Sequence, residues 1–236
     1  MEVIDIVLYS LIALLVFALI VCLAITNYAG ENLITVYNTY AKKIVDFNNT
    51  IMFAQNVSNG EFDGRIKTNV IPGFLTDYYY NGTISLSQPV AYANNVAAFA
   101  VCAHELGHAI QYRDTPQKMK KFSRKLLFSK IVSKLTFPLF VIGIPLIFFN
   151  IIIAIVLFSV SVLSFIIGLF AKLSTIKIEK EASMNALVLL QKYAYFDEES
   201  VKYAKKVLSA AKLTYIASFL KSVLGWTFLV RKYNFY

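Results

Sequence analysis

The longest uncharged stretch of this chain, from Leu135 to Ala171, does most to limit the folds open to it. Its 37 residues would form a straight helix about 55 Å long, whereas the hydrocarbon core of a bilayer is about 30 Å thick. The stretch is therefore expected to fold back as a transmembrane hairpin, with Asn150 near its centre as the point of reversal. Because two crossings return the chain to the side it left, the segments flanking the hairpin share one compartment.

A second uncharged stretch, Ile6 to Ile25, is 20 residues long and matches one bilayer crossing. The residues before it include Glu2 and Asp5 but no Lys or Arg, so we predict an N-terminal anchor rather than a cleaved signal peptide. Leu213–Val230 is apolar but carries Lys221, which leaves a fourth span and an interfacial helix as alternatives. With 58% hydrophobic residues and a mean hydropathy of +0.60, the chain is predicted to be a membrane protein.

Basic residues next to the apolar stretches indicate the orientation. Those between the first span and the hairpin are Lys42, Lys43, Arg65, Lys67, Arg113, Lys118, Lys120, Lys121, Arg124, Lys125, Lys130 and Lys134, and those directly after the hairpin are Lys172, Lys177 and Lys180. The positive-inside rule then puts this side in the cytoplasm, with the N-terminus and the hairpin tip outside. The net charge of +9 does not indicate nucleic acid, because juxtamembrane positive charge is explained by anionic lipid.

The chain has only two histidines, His104 and His108, and both lie in the pentapeptide HELGH. Residues four apart lie on one face of a helix, so both imidazoles can bind one metal ion. The run 94–103 has no Gly or Pro, and the motif helix is predicted over about residues 92–112. Glu105 points off the histidine face and is expected to act as a general base towards a water at the metal. Two ordinary helix histidines are the alternative, and the low histidine content argues against it.

A catalytic zinc site takes three protein ligands and a water, so one ligand remains to be found. There is no third histidine, which excludes the longer HExxHxxGxxH pattern and leaves a carboxylate or, less often, a cysteine. Glu179, at the start of a predicted helix beyond the hairpin, is the preferred residue. Glu181 is its closest alternative and lies about 200° around the helix from it, so only one of the two can readily face the metal. Asp114 is nearer in sequence but lies at a helix end.

The segment before the motif helix changes its periodicity. A helix is predicted from about Asn32 to Asn48, residues 65–70 then alternate, and Asn81-Gly82 is a strong hairpin signal before Thr83–Ser87. A small antiparallel sheet is therefore predicted. Because an edge strand near the metal can hold an extended substrate by β-augmentation, Thr83–Ser87 is assigned that role, with a purely structural hairpin as the alternative.

Five segments, taken in order along nearly the whole chain, carry a family resemblance. They are Pro72–Asp77, Leu86–Ser87, the Ala-rich approach to the HELGH pentapeptide, Glu179–Leu190 and Lys206–Tyr215. Together they resemble the YugP-type neutral zinc metallopeptidases of bacterial membranes. The chain is also similar to the HtpX-type membrane proteases, which use HExxH and a later Glu across an intervening membrane hairpin.

The resemblance implies a zinc-dependent endopeptidase with His104, His108 and Glu179 as metal ligands and Glu105 as the catalytic base. The chain departs from the family pattern at Glu181, where an Asp is usual. The expected fold is a mainly α membrane protein whose zincin-like catalytic region contains a small antiparallel sheet, with an N-terminal anchor and a central transmembrane hairpin. The expected division is 1–28 anchor, 29–134 cytoplasmic region with the motif, 135–171 hairpin, 172–212 cytoplasmic helices with the third ligand, and 213–236 span or interfacial helix.

The function predicted from these features is peptide-bond hydrolysis on the cytoplasmic side of a membrane, with a peptide or a membrane protein as substrate. Tyr79, Tyr112 and Arg113 are candidate donors to the oxyanion. A zinc-holding scaffold or adaptor without turnover is the alternative, but a structural zinc site is closed by four protein ligands and needs no base. A transporter would need intramembrane polar residues, and apart from Asn150 the hairpin holds only scattered Ser and Thr.

Overall fold

The computed structural model describes residues 2–223, with side chains described without interruption from 20 to 212 and at scattered positions on either side. The described chain folds into helices α1 (Glu2–Tyr40), α2 (Thr50–Phe62), α3 (Gln88–Ala91), α4 (Val96–Asp114), α5 (Pro116–Phe149), α6 (Ile151–Tyr193) and α7 (Glu198–Val223), and strands β1 (Lys67–Ile71), β2 (Tyr78–Tyr80) and β3 (Thr83–Ser87). It is mainly helical with one small sheet, as predicted.

Helix α1 contains the predicted anchor, but most side chains of residues 6–25 lie outside the described set, as does most of the predicted segment 213–230. The prediction of a separate helix over residues 32–48 is wrong. The first part of this segment continues α1 without a break, and α1 ends at Tyr40. The residues that follow instead bond to the start of α4, because Val45 N–H donates to Asn94 O at 2.7 Å and Val96 N–H donates to Lys43 O at 2.9 Å.

Helix α2 was not predicted from the sequence. It begins at a side-chain cap, in which Asn49 Oδ1 accepts a hydrogen bond from Met52 N–H, and it ends at Asp63 in the left-handed conformation. Its Phe53, Ala54 and Val57 are fully buried and belong to the same core as α4. The helix thus covers one side of the motif helix.

The sheet is mixed rather than antiparallel, which corrects the prediction. Its strand order is β1-β3-β2; β2 and β3 form the predicted hairpin through Asn81 and Gly82, both with positive φ. Strand β1 pairs in parallel with β3, Lys67 opposite Thr83 and Ile71 opposite Ser87. The physical reason is burial, since four of the five residues of β3 are buried while β1 and β2 are more exposed. The most buried strand therefore takes the centre.

The substrate role assigned to Thr83–Ser87 is consequently wrong. A central strand has both of its hydrogen-bonding edges occupied, so it cannot accept an added peptide strand. Among the described strands, β1 and β2 form the edges. Strand β2 is the edge that packs against α4.

Helices α5 and α6 pack along each other and are joined at Asn150, whose extended backbone interrupts the helix. The Asn150 Oδ1 atom accepts hydrogen bonds from Ile152 N–H and Ile153 N–H and so caps α6. By length and composition both helices could cross a membrane. Their apolar side chains face outward to a large extent, with Phe149 84% and Ile152 71% exposed.

Helix α4 runs through the centre of the part that carries the motif, and it is observed two to four residues later than predicted. Asn95 Oδ1 caps it by accepting from Ala98 N–H. Its Ala97, Phe99 and Leu106 are fully buried, and it contacts α2, α6, α7, β2 and β3. The motif is thereby held on the most enclosed helix of the described fold.

Candidate metal centre

The two histidines lie one turn apart on α4 with their ring centroids 4.8 Å apart. His104 is buried, whereas His108 is partly exposed. The helix between them has Gly107 facing α6. A Cβ atom at that position would lie 2.3 Å from Ala182 O, so only glycine allows the two helix backbones to approach this closely. This crossing sets the position of the α6 residues immediately before Ala182.

One of those residues is Glu179, whose carboxylate lies between the two imidazoles. Its Oε2 atom is 3.2 Å from His104 Nε2 and 3.3 Å from His108 Nε2. The ligand atoms of the three residues all lie within 4.8 Å of one another, the one such group among the described residues. The structure thus brings together the three residues predicted as ligands, although 70 residues of chain separate His108 from Glu179.

The alternatives to Glu179 lie elsewhere. Glu181 Oε2 accepts hydrogen bonds from Gln111 Nε2 at 3.3 Å and Lys118 Nζ at 3.0 Å. Asp114 is paired with the neighbouring Arg113. Cys102 is buried in the core, where its Sγ atom lies 3.7 Å from Thr50 O. None of the three is in the His-His-Glu group of the described residues.

The electrostatics of the group favour positive charge between the carboxylate and the imidazoles. Burial lowers the pKa of His104. Burial would also lower the pKa of His108, but the hydrogen bond and negative charge of Glu179 outweigh it and raise that pKa to about 9. Burial would raise the pKa of Glu179, yet its hydrogen bonds to both histidines lower it well below the usual range. A metal cation carries the kind of charge that this arrangement stabilises.

The donor set and its spacing fit zinc. Two imidazole nitrogens and one carboxylate oxygen are the protein ligands of a common class of catalytic zinc site. Tetrahedral ligands about 2.0–2.1 Å from zinc lie about 3.3 Å from one another, and the two N···O separations here are 3.2 and 3.3 Å. The donor set and the two N···O separations are therefore compatible with a zinc ion held by these three residues.

Sequence reasoning missed two residues that orient the imidazoles. Ser183 Oγ lies 3.3 Å from His104 Nδ1 and donates to Glu179 O at 2.9 Å. Gln111 Oε1 lies 2.9 Å from His108 Nδ1. Their spacing gives a signal that could have found them, because each lies three or four residues after a ligand on the same helix face.

Glu105 is partly exposed on the side of α4 that adjoins β2. Its pKa is raised to about 8, mainly by burial and also by the negative charges of Asp77 and Glu179, against the lowering effect of the positive charge of His108. The backbone N–H of Tyr79, in β2, donates a hydrogen bond to the carboxylate. A carboxyl group with a pKa near neutrality suits a residue that takes up and returns a proton.

The three candidate oxyanion donors contact other residues, although the contact of Tyr79 uses its hydroxyl oxygen and not its proton. Tyr79 Oη accepts from Gly82 N–H, and Tyr112 Oη bonds to Ser123 Oγ at 2.7 Å. The Arg113 guanidinium pairs with Asp114 and with Glu61, which lies on α2. Arg113 is therefore fixed at the end of α4 as a tie between helices, and its assignment as an oxyanion donor finds no support in the described contacts.

Comparison with known proteins agrees with this class. The sequence model of the family described as "Putative neutral zinc metallopeptidase" matches residues 14–233. The chain therefore belongs to this family. It is 32% identical over 174 residues to the "Putative membrane protease YugP" of Bacillus subtilis (strain 168), an alignment that covers 70% of this chain and 71% of that relative. No solved structure gives a significant match.

Proposed function

We propose that this chain is a membrane-embedded zinc endopeptidase in which His104, His108 and Glu179 hold the ion and Glu105 is the general base. The observation that carries the proposal is the position of one carboxylate oxygen, Glu179 Oε2, within 3.3 Å of Nε2 on both motif histidines. Membership of a zinc metallopeptidase family supports the same reading.

A zinc ion held by His104, His108 and Glu179 would supply a Lewis acid, which polarises a peptide carbonyl and lowers the pKa of water to about 7. Glu105 accepts the proton of the attacking water and then delivers it to the leaving amine. Its pKa of about 8 in the metal-free protein is lowered by a nearby cation, so Glu105 is ionised and able to accept that proton at neutral pH. The Tyr79 backbone N–H orients the carboxylate during this transfer.

The substrate backbone is expected to align along β2 rather than β3. Strand β2 is an edge of the sheet, it adjoins the motif helix, and its Tyr79 is bonded to Glu105. An extended peptide added there would run past the general base. Peptides with single N-methylated backbone amides near the scissile bond should be cleaved poorly, and equal cleavage of methylated and unmethylated peptides would exclude strand addition.

The membrane part of the proposal is supported by α5 and α6, whose apolar surfaces are largely exposed, and by the Bacillus subtilis relative, which is named "Putative membrane protease YugP". We propose that residues 135–171 cross the bilayer as a hairpin and that the flanking segments 29–134 and 172–212 form one cytoplasmic region. Glu179 is eight residues beyond Ala171, or about 12 Å along the helix. The metal centre would then lie just above the cytoplasmic membrane surface, within reach of membrane-protein segments.

A zinc-holding scaffold without turnover is the competing function. Both functions retain zinc, and only the peptidase needs Glu105. We expect Glu105→Gln to keep the zinc content of the wild type and to lower cleavage of a quenched fluorescent peptide library at least 100-fold, because the amide cannot accept the proton. Glu198→Gln, at an exposed site on α7, is the matched control and should cleave normally. Zinc-loaded wild type that cleaves nothing would favour the scaffold, and full activity of Glu105→Gln would refute the assigned base.

A further inference from the structure

Both polar atoms of the Gln111 side chain are hydrogen-bonded, the oxygen within the motif helix and the nitrogen to α6. It is only 3% exposed, so its amide must find partners inside the protein. Its Oε1 lies 2.9 Å from His108 Nδ1, while its Nε2 donates to Ile178 O at 2.8 Å and to Glu181 Oε2 at 3.3 Å. All of these bonds link α4 to α6 except the one to His108.

The partners of Gln111 determine which way its amide points. A backbone carbonyl and a carboxylate only accept hydrogen bonds, so the amide nitrogen must face Ile178 and Glu181. The amide oxygen is thereby left for His108, and it can only accept. A proton is then held on Nδ1, and Nε2 faces the Glu179 carboxylate, so that with a metal bound the Nε2 lone pair would point at the ion as a metal ligand requires.

Glu181 is held in turn by a third helix. Lys118, in the first turn of α5, donates to the same Oε2 atom at 3.0 Å. Lys118 and Glu181 are 46% and 37% exposed, so the ion pair alone contributes little stability. Its effect is to keep the Glu181 carboxylate beside the Gln111 amide.

We propose that Gln111, held by Glu181, is a positioning residue that fixes the tautomer and orientation of the His108 imidazole for metal binding. This inference rests on the proposed zinc site and gives Glu181 a role other than that of a ligand. Three residues of α6 then contribute to the centre. Glu179 binds the ion, Glu181 holds His108 in position through Gln111, and Ser183 contacts His104.

The test is zinc affinity, measured by competition with a chelator of known affinity on purified full-length protein. Loss of a partner that orients a metal-binding histidine typically weakens metal affinity about 10- to 100-fold. We expect that range for Gln111→Ala and about tenfold for Glu181→Ala, with a smaller loss for Glu181→Gln, whose amide oxygen can still accept. Lys180→Ala removes an exposed charge from the adjacent position of α6 and should leave the affinity unchanged.

A swap of the two side chains provides a readout that a merely structural role would not produce. Gln111→Glu alone places a second carboxylate opposite that of Glu181. The repulsion between the two should weaken zinc binding. The double variant Gln111→Glu with Glu181→Gln restores a complementary pair at these two positions, because the new amide can donate to the new carboxylate, which still accepts from His108 Nδ1. The bond to Ile178 O is lost equally in the single and the double variant, so the two differ only at position 181. Zinc affinity of the double variant should therefore exceed that of Gln111→Glu by at least tenfold, with equal thermal unfolding midpoints of the apo proteins.

The outcomes separate this inference from the proposed function. The positioning role would be overturned if wild type and Glu181→Gln bound zinc equally and the double variant bound it no better than Gln111→Glu. The zinc site itself would stand in that case. Wild type that binds no zinc would overturn the site itself. If Gln111→Ala fails to fold, the zinc affinities of Glu181→Gln and of the double variant still test the inference, because both variants keep a polar side chain at positions 111 and 181.

Discussion

Glu179 has the largest consequence of any single residue for the proposed chemistry, because one of its carboxylate oxygens contacts both imidazoles. The neighbouring Glu181 has the same charge but is more exposed, 37% against 13% for the Glu179 side chain, and it faces Gln111 and Lys118. The difference comes from the helix, which turns residues two apart to opposite faces. Identical side chains thus carry different roles according to their position on α6.

Asp77 gives a prediction of pH dependence at the residue scale. Its carboxylate accepts hydrogen bonds from Ser87 N–H and Ser87 Oγ–H, but burial raises its pKa from 3.8 to about 6. The folded state therefore holds this proton to a higher pH than the unfolded chain does. Ionisation of Asp77 costs stability that is fully felt above about pH 6 and absent below about pH 4.

Asp77→Asn keeps an oxygen for Ser87 N–H and removes the buried charge. Relative to wild type, its thermal unfolding midpoint should rise as the pH is raised from 5 to 7.5, by the equivalent of about 1.4 kcal/mol, because the pKa of about 6 lies one pH unit above the starting pH. The control Asp46→Asn, at an exposed position, should show a constant difference from wild type. A midpoint difference for Asp77→Asn that does not change with pH would contradict the assigned cost.

The sequence identified the residues of the His-His-Glu group but not those that hold them. His104 and His108 follow from the spacing of the motif, whereas Glu179 was preferred to Glu181 and Asp114 as the carboxylate that zinc requires and is implied by the family resemblance. Gln111 and Ser183 depend on how α4 crosses α6, which is a tertiary property that a local pattern does not contain. Polar residues at those positions are equally compatible with a solvated helix face.

At the scale of elements, the crossing of α4 and α6 determines whether the centre forms. Gly107→Ala would put a methyl group 2.3 Å from Ala182 O, a backbone atom that cannot move aside alone. We expect α6 to shift, the unfolding free energy to fall by about 1–3 kcal/mol, and zinc affinity to fall at least tenfold. The unfolding free energy is measured by thermal unfolding and the zinc affinity by chelator competition, both on purified protein.

Gly60→Ala is the matched control for that variant. The added methyl group would meet only the end of the Tyr193 side chain, which can rotate away, and it lies on α2. Its zinc affinity should equal that of the wild type. Equal affinities of wild type, Gly60→Ala and Gly107→Ala would show that the close crossing is not needed for the centre.

The elements also show where sequence patterns were sufficient. The hairpin at Asn81-Gly82 and the motif helix were predicted because local turn and helix signals agree there with the tertiary fold. Strand β1 was placed wrongly because its parallel pairing with β3 is non-local, and alternation of side chains is the same in both kinds of sheet. Helix α2 was missed although Asn49 and the buried Phe53 and Val57 give a capping and spacing signal.

At the scale of the whole molecule, the long helices α5 and α6 join the proposed membrane part to the metal centre. Helix α6 runs from Ile151 to Tyr193 without a break and is about 65 Å long, so it extends well beyond a bilayer core. The first half of α6 carries exposed apolar residues and the second half carries Glu179. Movement of the proposed hairpin relative to the cytoplasmic part would therefore act directly on a proposed metal ligand.

The proposed orientation predicts which positions face the outside. Phe149, at the turn between α5 and α6, and Tyr195, after α6, are both 84% exposed and lie at opposite ends of α6. With Cys22 and Cys102 replaced by Ala, Phe149→Cys should react with a membrane-impermeant maleimide on intact cells, whereas Tyr195→Cys should react only after lysis. Labelling of Tyr195→Cys but not of Phe149→Cys on intact cells would show that the orientation is the reverse of the proposed one. Equal labelling of the two variants would exclude the two-span hairpin.

The most direct test of the whole account is the zinc content per chain of purified protein, measured by mass spectrometry for wild type and Glu179→Ala. The account predicts one zinc ion per wild-type chain and a nearly complete loss in Glu179→Ala, because two imidazoles on one helix are left without their third ligand. One zinc ion retained in Glu179→Ala, or none in the wild type, would contradict it.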